Sequence, residues 1–132
     1  MAWPESLSKF RSYVEEAQAA FGLHDWQIFV QVADDEKHLA TCSCDYEAKI
    51  ATIALAFKWA TVPVTPGSLR RVAYHEVLHV LLAQLQILAA SRSFDRNEYE
   101  RAEHEVVHRV LFAVCGADVT EMKPQQEKET DE

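Results

Sequence analysis

The chain has little basic charge, few glycines, an odd number of cysteines and no long uninterrupted apolar run. Its 13 Lys and Arg stand against 21 Asp and Glu, a formal net charge of −8, which disfavours any action built on neutralising phosphates or anionic lipid. Nucleic acid and membranes are therefore not expected partners. The cysteines, Cys42, Cys44 and Cys115, cannot form a closed disulfide framework, and Cys42 and Cys44 read as small apolar fillers on one face of a strand. Met1 to Ser6 contain no basic stretch leading into an apolar one, so a signal peptide is not expected and a reducing cytoplasm is the expected compartment. The longest apolar stretch, Val77 to Ile87, is interrupted by His79, Gln84 and Gln86 and falls short of the roughly 20 residues that cross a bilayer.

What is present is ordinary globular material: 48% hydrophobic and 26% charged residues in 132, the commonest size for one domain with one core. From Asp118 onward, six acidic and two basic residues carry −4 of the net −8, so the chain reads as a domain over 1–117 and an acidic, disordered tail over 118–132. Phe10, Val14 and Phe21 among polar neighbours predict an amphipathic helix over 6–21, with Ser6 or Ser8 as cap and Gly22 beyond its end. The β-branched and aromatic run 26–32 predicts a first strand, and 39–46 with 50–55 a hairpin. A Pro and Gly cluster over 61–67 closes the sheet region, and Ser68 stands where an N-cap belongs. No Pro or Gly interrupts 69–90, which predicts one long helix, and 98–114 predicts a second, stopped by Gly116. The fold class is α+β: an N-terminal helix, a small three-stranded sheet and two further helices.

The pattern His-Glu-x-x-His occurs twice, at His75, Glu76, His79 and at His104, Glu105, His108. Composition alone yields about 0.03 copies. At about 100° per residue, His79 lies about 40° and Glu76 about 100° from His75, so both imidazoles share a helix face with the carboxylate beside them. The rest of that helix is apolar nearly all round, and polar groups buried there are costly without a strong partner. A divalent cation held by His75 and His79 satisfies them. On the second helix Val106, Val107, Val110, Leu111 and Val114 mark the buried stripe, which places Glu105 and His108 in solvent and Glu103 close to the centre of the stripe. Two histidines on one helix commonly take a third ligand from a second helix; Glu103 is the first choice, with Glu100 and His104 as alternatives.

His75-Glu76-Val77-Leu78-His79, followed by a Glu-bearing helix, resembles the zincin metallopeptidases and, within them, the gluzincins; the order of elements over about 6–115 is similar to the minimal single-domain, minigluzincin-like forms of prokaryotes and phages. The resemblance implies one Zn2+ per chain, held by His75, His79 and Glu103, and hydrolysis of a peptide or protein substrate by a metal-activated water with Glu76 as general base. It also implies a substrate strand added to a sheet edge, at 39–45 or 50–55, and an oxyanion donor for which Tyr74, Tyr99 and His104 are candidates. The alternative is a zincin-fold metal-binding structural or interaction protein, such as a phage accessory protein, that binds the ion without turnover.

Overall fold

A computed structural model describes residues 3–116. The acidic segment over 118–132 lies outside the described residues. Helix α1 (Trp3–Ala20) buries Ser6, Phe10, Val14 and Ala17, a stripe at helical spacing. It begins before the expected caps, so Ser6 is a fully buried helical residue instead of a cap. Its end follows the sequence: Gly22 adopts φ 65°, its N–H reaches Ala19 O at 3.1 Å and that of Leu23 reaches Gln18 O at 2.9 Å. This paired termination uses the left-handed conformation that glycine adopts without a Cβ clash.

Strands β1 (Gln27–Ala33), β2 (Ala40–Asp45) and β3 (Ile50–Ala56) form a mixed sheet of order β1-β3-β2. β2 and β3 are the expected antiparallel hairpin, whereas β1 runs parallel to β3, with Val30 opposite Ile53. The hairpin turn closes through Lys49 at φ 57°, with its ammonium 3.8 Å from the Tyr46 ring centre. Ala51, Ile53 and Leu55 face the helices and are fully buried, while Phe29 on the opposite face is exposed. The sheet is thus covered on one side, as antiparallel and mixed sheets tolerate. Phe10, Ile53, Leu55, Leu69 and Val77 are the large fully buried side chains of the core between sheet, α1 and the site helix; each contributes roughly 1.5–3 kcal/mol by leaving water.

Helix α2 (Pro66–Leu81) starts one turn earlier than its predicted cap. Thr65 is the N-cap and Ser68 the reciprocal partner: Thr65 Oγ1 accepts from Ser68 N at 3.1 Å, and Ser68 Oγ accepts from Thr65 N at 2.9 Å. Pro66 sits at the first helical position, where its missing N–H costs nothing. The single helix expected over 69–90 is instead two, α2 and α3 (Ala83–Ala90), bent by 48° at Leu82. No breaker marks this point. Leu81 and Ala83 are both buried, at 6% and 3% exposure, yet a straight helix would aim them about 160° apart; the bend lets both reach the core. No single helix among the described residues is long and apolar enough to cross a membrane.

Helix α4 (Arg96–Cys115) is capped by Asp95, whose carboxylate accepts from Asn97 N at 2.9 Å, and terminates at Gly116 as expected. Its orientation corrects the sequence reading. Ala102 is its one buried residue, whereas Val107, Val110, Leu111 and Val114 are 39–79% exposed. The helix is rotated because its anchor is polar. Arg109 Nη1 donates to Phe21 O at 3.2 Å and to Gly22 O, the free carbonyls where α1 ends. A cation at that helix terminus also meets the negative end of its dipole. Hydrophobic periodicity carries no sign of this contact.

Candidate metal centre

The i, i+1, i+4 spacing on α2 brings one donor atom each from His75, Glu76 and His79 within 4.8 Å of one another. The two imidazole rings lie 5.0 Å apart, nearly perpendicular at 84°. Glu76 faces inward with Ala73, Val77 and Val80 and is only 4% exposed, whereas the His75 side chain is 68% exposed. His75 Nδ1 and Glu76 Oε2 are 2.6 Å apart. With the proton on Nδ1, His75 donates to the carboxylate and keeps its Nε2 lone pair for another ligand. A buried carboxylate is costly without such partners. Two imidazoles at the surface end of a buried carboxylate fit a divalent cation that accepts nitrogen and oxygen donors, and this group could hold a metal ion.

A groove of about 660 Å³ opens beside this group, between the N-terminal half of α2 and the start of β2. Leu39, Ala40, Val62 and Val72 give it apolar walls; His75 and Glu76 lie at one end and Arg71 along its side. The strand order settles which strand borders it. β3 is central and paired on both sides, while β2 is an edge strand beside α2, so its outer backbone groups are available for pairing.

The residues expected from α4 do not join the group. Glu103 was expected in the buried stripe and is exposed, a consequence of the rotation set by Arg109, and it is not among the donors that converge within 4.8 Å. Glu100 pairs with Arg96 at 3.2 Å, and His104 Nε2 lies 2.9 Å from His108 Nε2 on the exposed face of the second motif. Of the candidate oxyanion donors, Tyr74 turns to α1, where its hydroxyl donates to Glu16 Oε2 at 2.6 Å. Tyr99 packs against Phe94, ring centres 5.7 Å apart. The hydroxyl of Tyr74 and the Arg70 guanidinium hold the Glu16 carboxyl below its ordinary value.

Cys42 and Cys44 share the helix-facing side of β2, opposite Ile53 and Ala51, with thiols 3.7 Å apart. Burial first, then Cys44 and the charge of Glu76, push the Cys42 thiol far above its ordinary range, and the thiol packs against the core as a half-buried filler. The residue that sequence reasoning passed over is Arg71. Its signal was present: it precedes His75 by one helical turn and so shares its face. Comparison with known protein families, curated proteins and solved structures finds no match.

Proposed function

We propose that this chain is a zinc-dependent peptidase in which His75 and His79 hold the ion and Glu76 is the general base. The observation that carries the reading is the convergence of His75, Glu76 and His79 within 4.8 Å, with Glu76 buried beneath the exposed imidazoles, at the end of a groove bordered by an open strand edge. Zinc in such a site supplies Lewis acidity, polarising a carbonyl and making water acidic near neutral pH. The remaining work belongs to the chain. The β2 edge pairs with an extended peptide and fixes its register. Glu76 accepts a proton from attacking water and returns it to the departing amine, a role its carboxylate fills because it touches the site while a second group, His75, orients it. The apolar walls of the groove exclude water from the peptide's side chains.

The test compares the zinc-loaded protein with its Glu76→Gln variant on a denatured protein substrate. Zinc content should stay near one per chain in both, and cleavage should fall by about 10²-fold or more in the variant. Equal cleavage by the two proteins removes Glu76 as base. Zinc binding with no cleavage by either supports instead the metal-binding module without turnover.

A further inference from the structure

Among the described residues, the groove beside the site contains one polar side chain without a partner. His38 pairs with Asp35 at 3.0 Å, Ser68 with Thr65 and Pro63, and His75 with Glu76; among the described residues Arg71 has no hydrogen bond, ion pair or ring contact. This sets it apart from its neighbour Arg70, which is held by Glu16 at 2.8 Å and lies over Tyr74. An unpaired guanidinium between apolar walls presents a planar fork that matches a carboxylate with two parallel hydrogen bonds.

We propose that Arg71 is the specificity determinant of this groove, binding a carboxylate of an extended peptide one or two residues from the position held by His75, Glu76 and His79. The inference rests on the peptidase reading for the direction of the bound chain. The spacing follows from the helix. Arg71 and His75 are one turn apart, with Cβ atoms about 5–6 Å from each other, and helical side chains lean toward the N-terminus, carrying the guanidinium further from His75. A peptide extended along β2 advances about 3.3 Å per residue, so one or two residues span the gap. The carboxylate has two sources, a chain terminus or an acidic side chain, and both present the same two oxygens. Among the described residues Arg71 is the one arginine or lysine that lines this groove, so it supplies the groove's own fixed positive partner for a carboxylate. A peptide with a carboxylate at that position is thereby favoured over one without.

The test measures binding by calorimetry at low ionic strength, using the full chain carrying Glu76→Gln so that turnover does not consume the probe. Three probes of one short apolar peptide are compared: the free C-terminal acid, its C-terminal amide, and an amide carrying one glutamate near its end. The acid, the glutamate amide or both should bind at least about tenfold more tightly than the plain amide, and which of them does so names the source of the carboxylate. Adding Arg71→Ala should abolish the difference, and Arg71→Lys should restore part of it, as a point charge without the fork. Arg71 is exposed, so unfolding temperatures should match across the variants. Equal affinity of all three peptides, or carboxylate preference unchanged in Arg71→Ala, overturns the assignment. Cleavage is read separately with the zinc-loaded wild-type chain. Carboxylate-selective binding without cleavage keeps Arg71 and removes the peptidase reading, whereas cleavage indifferent to carboxylates does the reverse.

Discussion

Arg109 Nη1 on α4 lies 3.2 Å from Phe21 O, the carbonyl at which α1 gives way to Gly22. Together with the Arg109–Asp25 pair at 3.9 Å, this contact ties α4 to the end of α1 and sets which residues the last helix offers to the site. Arg109→Leu should lower stability by about 1.5–3 kcal/mol, the range for hydrogen bonds involving a charged group. It should also lower amide exchange protection more in α4 than in α1. Urea unfolding and hydrogen exchange check this; unchanged protection in α4 would show that the helix is held by other contacts.

The exposed side of α4 makes a contrasting pair. Val114→Ser, at 79% exposure, should change stability by less than about 0.5 kcal/mol, whereas Ala102→Leu, at 3% exposure, should cost about 1–3 kcal/mol by overpacking. Glu103→Ala belongs with the first: little change in stability, and zinc affinity equal to that of the unaltered chain. A marked loss of zinc in Glu103→Ala would return α4 to the site.

Replacing the ligands should separate binding from folding. His79 is exposed, so His79→Ala should unfold at the same temperature as the metal-free protein, whereas His75→Ala removes the partner of the buried Glu76 carboxylate and should unfold at a lower one. Zinc at about 100 times its dissociation constant should stabilise the unaltered chain by about 2.7 kcal/mol, a gain that a chelator reverses. Neither alanine variant should show it. Thermal melts with and without zinc provide the measurement.

The contact between α1 and α2 carries a pH dependence. Tyr74 and Arg70 lower the Glu16 carboxyl, so its contribution is present at neutral pH and lost as pH falls through the lowered value. Burial, then the bond to Glu16, raises the Tyr74 phenol, so that contribution is lost as pH rises through the raised value. Tyr74→Phe should therefore melt at a lower temperature at pH 7, with the gap to the unaltered chain closing below about pH 4 and above about pH 10. A gap constant across that range would mean the loss comes from packing alone.

Much of the fold was legible because it depends on local rules. Gly22 marked the end of α1, the β-branched Thr52 and Ile53 marked a strand, and the short connection between β2 and β3 marked a hairpin. Other features had no local signature. A hairpin turn makes two strands neighbours but does not say which of them a third joins, so the central place of β3 could not be read. The bend at Leu82 lacks a breaker and follows from the burial of Leu81 and Ala83. The buried face of α4 was misread because an apolar stripe ordinarily faces the core, and here a guanidinium and two carbonyls outweigh it.

The sequence by itself determined the convergence of His75, Glu76 and His79, since the pitch of a helix places residues one and four apart on adjoining faces whatever surrounds them. Which of the three is covered was not legible: the histidines expected inside the core are exposed and only the carboxylate is buried, because Ala73, Val77 and Val80 define the buried side of the helix. Only the tertiary structure decided that Glu103 stays in solvent, that β2 borders the groove and that Arg71 lines it without a partner among the described residues. Those outcomes depend on how separate elements dock, and docking is set by long-range contacts such as Arg109 with the end of α1, to which the periodicity of each element alone is blind.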